Sequence, residues 1–258
     1  MRAVEKAHFL ETARHAVLKA VEFVAQSTKE RPPRVDRHEL LGKEVKLDID
    51  QRLSELLTYQ LNETGIAVIS EESPASHTIV DEVVWLIDPL DGSYNFLRSA
   101  GPSAVCVALL EGLSIQCGVV YDLQSNRLYS GGRGIGALCD GVPIAVSTQS
   151  RIESALVYTG VPSRMDMTNP QSLGRITNLL KHAQKIRMIG SAAVSLVNVA
   201  SGIGDVYLEE AIMPWDVAAG IAVVEGAGGL VHAQLTSRSQ PIRVVAGSHE
   251  LVELLSAE

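Results

Sequence analysis

Apolar residues at Phe9, Ala13, Val17, Ala20 and Val24 recur at helical spacing, with Glu, His, Arg and Lys between them. This pattern predicts an amphipathic surface helix over roughly 3–27. A second helical pattern covers 48–64, and short apolar runs predict strands near 66–69 and 83–87. The period then shortens to that of a strand. Residues 104–110 and 115–121, joined by a Glu111-Gly112 turn, predict an antiparallel hairpin, continued by 127–130 and by short strands either side of Asp140-Gly141. Beyond it, strands near 155–159, 186–189, 205–208, 229–232 and 243–246 alternate with helices at 170–184, 191–201, 215–227 and 248–256. This mixed order predicts an α+β fold of stacked layers rather than a regular βαβ array.

With 258 residues, 46% apolar and 20% charged, the chain can bury a large core. It reads as a single unit over 1–258, with an N-terminal α+β part to about 145 and a C-terminal α/β part from about 146. The net charge of −8, with no Lys/Arg cluster, argues against a nucleic-acid or anionic-membrane surface. Cys106, Cys117 and Cys139 are odd in number and widely spaced, which argues against a disulfide framework or zinc knuckle and predicts small core residues in a reducing compartment. Neither a signal peptide nor a membrane span is indicated, so the expectation is a cytoplasmic protein. The prolines and charges from Arg31-Pro32-Pro33-Arg34 to Gly42 resist helix and sheet, and make this stretch the best candidate for a mobile loop, with an ordinary helix-to-helix linker as the plainer reading.

The candidate chemistry lies at element ends. In Trp85-Leu86-Ile87-Asp88-Pro89-Leu90-Asp91-Gly92-Ser93 an apolar run stops on two carboxylates, a glycine and a hydroxyl. Asp88 and Asp91 offer oxygen ligands suited to a hard cation, and Gly92 lets backbone N–H groups approach an anion. Alone, the segment reads equally well as turn punctuation. Further acids decide for a divalent metal beside a phosphate: Glu71-Glu72 follows Ile66-Ala67-Val68-Ile69, Asp216 sits behind Pro214 in the first turn of a helix, and Asp48 and Asp50 open another. Other motifs are set aside. Residues 131–136 are glycine-rich but lack dinucleotide-binding spacing and read as a turn. The seven histidines form no His-x-x-x-His pair. Gly190-Ser191-Ala192 lacks the flanking pattern of a serine nucleophile and reads as a substrate-facing helix start.

Taken together, Glu71-Glu72-Ser73, the stretch from Trp85 to Phe96, and Trp215-Asp216-Val217-Ala218-Ala219-Gly220 with Gly226-Ala227-Gly228-Gly229 resemble the inositol monophosphatase family of Mg²⁺-dependent, lithium-sensitive phosphatases. Gly190-Ser191-Ala192-Ala193 and Asp205-Val206-Tyr207-Leu208-Glu209 extend the likeness, which runs from about Leu41 to the C-terminal helix. The resemblance implies a layered αβαβα sandwich of the sugar-phosphatase type, commonly a homodimer, with a lid near 31–42 that orders with metal. It implies two or three Mg²⁺ ions, the first on Glu72, Asp88 and the carbonyl of Leu90. The second rests on Asp88, Asp91 and Asp216, and a third, weaker one on Glu72. Ser93, usually threonine in the family, would orient the attacking water with Asp50 and Glu72, which accept its proton. The N–H groups of Gly92 and Ser93 would cradle the phosphate.

For the leaving group, the resemblance implies that Glu209, with Asp91, Ala192 and Asp216, forms a hydroxyl-binding wall, against the plainer reading that Glu209 or Glu210 simply covers a strand end with charge. The expected substrate is a small phosphorylated polyol, foremost inositol monophosphate. Departures from the family pattern at Ser70, Tyr94 and residues 98–101 border the pocket. The alternatives are therefore 3′-phosphoadenosine 5′-phosphate, fructose 1,6-bisphosphate or histidinol phosphate on the same site, or a metal-binding relative without activity.

Overall fold

The computed structural model describes residues 1–30, 38–41, 44–73 and 82–257. In chain order the elements are α1 (Ala3–Glu30), β1 (His38–Leu41), β2 (Glu44–Leu47), α2 (Asp48–Asn62), β3 (Ala67–Ser70), β4 (Val83–Asp91) and α3 (Ser93–Arg98). An antiparallel run follows: β5 (Ala104–Glu111), β6 (Ser114–Asp122), β7 (Arg127–Gly132), β8 (Gly136–Cys139) and β9 (Val142–Pro143). The second half comprises β10 (Leu156–Thr159), α4 (Pro170–His182), β11 (Lys185–Arg187), α5 (Ala192–Ala200), β12 (Val206–Ile212), α6 (Pro214–Gly226), β13 (Leu230–Ala233), β14 (Ile242–Gly247) and α7 (His249–Ser256).

β3 to β9 form a seven-stranded sheet in sequence order, with only β3–β4 parallel. The second sheet runs β11-β10-β12-β14-β13 and is mixed, with β10 parallel to both neighbours. Strand alternation assigns the layers. On β4 and β5, Trp85, Ile87, Val105, Val107 and Leu109 pack with Ala13, Val17, Leu53 and Leu57 of α1 and α2. Their neighbours Val84, Leu86, Ala104, Cys106 and Ala108 pack instead with α5, α6 and the inner face of the second sheet, including Tyr207 and Val244. Val206, Leu208 and Val245 on its outer face meet Leu179 of α4 and Leu251 of α7. Reading across these three cores gives an αβαβα sandwich, as the resemblance implies.

The middle layer is tight because small residues face it. A Cβ at Gly118 would lie 2.6 Å from Cα of Ala219, so only glycine lets α6 settle on β6. Gly131 and Gly132, expected to lie in a turn, are instead buried in β7, and only the three residues before β8 turn. A Cβ at Gly226 would lie 2.7 Å from the backbone N of Gly132, so this contact between α6 and β7 also requires glycine. All three cysteines are unpaired and buried. Among the described residues no helix is long and apolar enough to cross a membrane. Of the expected lid, 31–37 and 42 lie outside the described residues, whereas His38–Leu41 is a strand paired antiparallel with Glu44–Leu47.

Candidate metal and substrate site

β4 delivers both of its aspartates to the same face through an irregularity. Asp88 pairs with Cys106 and Asp91 with Ala104, so β4 carries one more residue than β5 over this interval. In an unbroken strand, residues three apart point to opposite faces. The bulge at Pro89-Leu90 restores the phase, and proline is tolerated there because it has no N–H to donate to the ladder. Asp88 Oδ1 accepts a hydrogen bond from the Leu90 N–H at 3.0 Å, which fixes the carboxylate at the bulge.

A second acid comes from β3. The parallel register pairs Ile69 with Leu86 and Ser70 with Ile87, and Glu71 continues it by donating its N–H to the Ile87 carbonyl at 3.3 Å. Glu71 therefore falls beside Asp88. The third acid, Asp216, is three residues past the Met213 cap of α6, whose N–H it accepts at 3.4 Å. Carboxylate oxygens of Glu71, Asp88 and Asp216 all lie within 4.8 Å of one another. The family resemblance implies Glu72 at this place; Glu71 stands there instead. Glu72 enters the turn closed by the Ser73 N–H on the Ser70 carbonyl, and its own N–H donates to Ser70 Oγ at 3.3 Å. That hydroxyl is 2.7 Å from Ser54 Oγ, so Ser70 pins the turn to α2.

Asp91 is held at the start of α5. Its Oδ2 accepts from Ser191 Oγ at 2.5 Å and from the Ala193 N–H at 2.8 Å, and its Oδ1 accepts from the Ala192 N–H at 3.4 Å. Ser191 Oγ also accepts from the Val194 N–H as the helix N-cap. Ser191, which the sequence pattern gives as a substrate-facing helix start, is thus a direct support for an acid of the site. Ser93 Oγ donates to the Leu90 carbonyl at 2.8 Å and lies 3.4 Å from Oδ1 of the buried Asp50, in the first turn of α2. Gly92 adopts φ 80°, and a Cβ there would lie 2.9 Å from the Pro102 carbonyl and 3.0 Å from that of Gly190. Asn95, which the sequence analysis did not single out, donates to the carbonyls of Pro102 and Ile189 at 2.8 and 2.7 Å, tying α3 to the approach to α5.

On the far wall, Glu209 is buried and accepts from the Tyr207 hydroxyl at 2.8 Å. Its carboxylate lies over Gly160, where a Cβ would come within 2.4 Å of Oε2. Tyr94 is exposed.

Asp88, Asp91 and Glu209 are buried, and Glu71 and Asp216 are half-buried beside them. Burial, then Glu71, Asp91 and Asp216, push Asp88 well above the carboxylate range. Asp216 is raised by burial and by Glu71 and Asp91. Burial carries Asp91 to about 6 against the opposing Ser191, Ala193 and Ala192 hydrogen bonds. Burial likewise carries Glu209 to about 7. Buried carboxylates in mutual contact cost several kcal/mol each unless protonated or met by cations. An all-oxygen donor set of this kind fits a hard divalent cation such as Mg²⁺.

The sequence profile of the inositol monophosphatase family matches residues 5–254. Inositol monophosphatase 2 of Homo sapiens is 32% identical over 223 residues, covering 82% of this chain and 76% of that protein. Nus factor SuhB of Pasteurella multocida is 35% identical over 176 residues, 66% of each chain. Inositol monophosphatase of Mesembryanthemum crystallinum is 38% identical over 63% of this chain and 62% of its own length. Among solved structures, an inositol monophosphatase from Anabaena superposes with a TM-score of 0.82 at 28% identity, covering 97% of this chain and 94% of that one.

Proposed function

We propose, from the premise that this chain belongs to the inositol monophosphatase family, that it is a Mg²⁺-dependent phosphomonoesterase acting on a small phosphorylated polyol, foremost inositol monophosphate. The observation that carries the reading is the convergence of Glu71, Asp88 and Asp216 within 4.8 Å, with Asp91 alongside. Glu71, Asp88, Asp216, Asp91 and the Leu90 carbonyl would hold the ions, Glu71 taking the place first given to Glu72. Mg²⁺ bound there supplies positive charge for the phosphate oxygens and lowers the pKa of water.

The chain's own groups do the rest. Asp50 and Ser93 lie in hydrogen-bond reach of each other, so a water between them and Glu71 is oriented by the hydroxyl and can pass its proton to a carboxylate. The first N–H groups of α3, beginning at Ser93 after the left-handed Gly92, are unpaired within the helix and suit a phosphate. Ser191 and the N–H groups of Ala192 and Ala193 keep Asp91 aimed. Glu209, desolvated and oriented by Tyr207, faces the leaving group and accepts from polyol hydroxyls. Ala192 and Asp216 complete that wall.

One observation favours a second reading, a substrate with another anionic group such as a sugar bisphosphate. The exposed Arg164 follows closely on Gly160 and lies near enough to Asp216 to favour its charged form. Phosphate release from a panel of inositol, sugar, nucleotide and histidinol phosphates, with Mg²⁺ and with EDTA, tests the proposal. We expect release only with Mg²⁺ and fastest from inositol monophosphate. A bisphosphate hydrolysed fastest selects the second reading.

A further inference from the structure

β12 carries two adjacent buried glutamates facing opposite ways. Glu209 shares the inner face with Tyr207. Glu210 lies on the outer face with Leu208, where two arginines meet it. Its Oε1 accepts from Arg175 Nε of α4 at 2.6 Å and from Arg243 Nε of β14 at 3.1 Å. Arg243 continues to the Leu255 carbonyl near the end of α7 at 2.6 Å, and Arg175 Nη2 reaches Ser172 Oγ at 3.4 Å. The carboxylate is 11% exposed and Arg175 12%, so this is a desolvated clamp rather than a surface ion pair.

The clamp sits on a second strand irregularity. Glu209 pairs with Val244 and Ile212 with Ile242, so β12 gains one residue in this interval, and Ala211 takes φ 54°, a left-handed conformation disfavoured for a residue with a Cβ. An unbroken strand would turn Ile212 to the outer face. With the bulge it enters the inner core, and the chain reaches Met213 and the start of α6 with Asp216 close to Glu209. A disfavoured backbone persists only where its surroundings over-determine it, and the paired arginines supply that constraint from outside the site.

We propose that Glu210 is a positioning residue for substrate recognition: held by Arg175 and Arg243, it fixes the bulge that presents Glu209 to the bound polyol. The proposal rests on the reading of Glu209 as a hydroxyl-binding group. The test measures kcat and KM for inositol monophosphate and for 4-nitrophenyl phosphate, together with Tm, in wild type, Glu210→Ala, Glu210→Gln and Arg175→Gln.

Glu210→Ala is expected to raise KM for inositol monophosphate about tenfold with kcat changed less than about twofold, while 4-nitrophenyl phosphate is hardly affected. Glu210→Gln keeps an acceptor oxygen and restores part of the loss. Arg175→Gln leaves Arg243 on the carboxylate and gives a smaller rise of the same kind, and it decides the matter if Glu210→Ala does not fold. Lower Tm with unchanged KM, or equal losses on both esters, overturns the proposal. If wild type does not turn over inositol monophosphate, the functional reading fails separately. The same comparison then uses the polyol phosphate that wild type hydrolyses fastest, and the same selective rise in KM is required.

Discussion

Replacing Gly160 with alanine inserts one methyl group against the group proposed to recognise the substrate. Gly160 does not adopt a left-handed conformation, so alanine meets no backbone penalty there. Its Cβ would lie 2.4 Å from Glu209 Oε2 and 2.6 Å from both Cδ and Oε1, whereas ordinary contact begins at 3.4 Å. The carboxylate must therefore retreat by about 1 Å. It is the far end of a flexible side chain, so the fold changes little, but its 2.8 Å hydrogen bond from Tyr207 is lost or stretched. A hydrogen bond to a charged group is worth about 1.5–3 kcal/mol, and a misplacement of about 1 Å can cost roughly a hundredfold in rate. The expected fall in kcat/KM for inositol monophosphate is thus about tenfold to a hundredfold. 4-Nitrophenyl phosphate, which has no polyol hydroxyls, should stay within about twofold. Steady-state kinetics on both esters, with Tm measured alongside, reads this directly. Unchanged turnover of inositol monophosphate, or equal losses on both esters, refutes the assignment of Glu209.

Asp91→Asn keeps an oxygen for Ser191 and Ala193 but removes a charge from the cluster, so turnover should fall by more than roughly a hundredfold with Tm little changed; near-normal turnover at limiting Mg²⁺ would exclude Asp91 as a ligand. Metal-free protein should lose stability as pH rises, because Asp88, Asp216 and Asp91 bind protons more tightly folded than unfolded, from the ordinary carboxylate range near 4 through about 6 and above. Mg²⁺ needs the charged carboxylates, so melting curves should show a larger Mg²⁺-induced rise in Tm at pH 8 than at pH 5; equal rises would contradict the site. Li⁺ should inhibit turnover in the millimolar range or below, as the family resemblance implies, and flat activity across a Li⁺ titration would contradict it.

The layered α+β class is legible because apolar periodicity changes at the right places, whereas the αβαβα order of the layers comes only from the family resemblance; the acids of β4 and α6 are legible because carboxylates interrupt apolar runs. The phase of those acids is not. Which of Glu71 and Glu72 turns inward depends on the parallel register of β3 with β4, a pairing that no local pattern specifies. That Asp88 and Asp91 share a face depends on a bulge whose sequence trace, Pro89, reads equally as a turn. The sequence pattern predicts this strand only over 205–208, with Glu209 or Glu210 open to being read as charge covering its end; the structure carries β12 to Ile212 and gives Glu210 two arginines from other elements. Gly160 and Asn95 act through contacts distant in sequence, with Glu209 and Ile189 respectively; no local pattern signals Gly160, and the family-like stretch that contains Asn95 does not show what it binds.

The claim that Glu71, Asp88 and Asp216 form the catalytic metal centre is tested most directly by the Mg²⁺ dependence of inositol monophosphate hydrolysis in wild type, Glu71→Gln and Glu72→Gln. The account predicts that Glu71→Gln needs at least about tenfold more Mg²⁺ or loses turnover at any concentration, while Glu72→Gln follows the wild-type curve. A wild-type curve for Glu71→Gln with loss in Glu72→Gln, or wild-type activity that persists undiminished in EDTA, would contradict it.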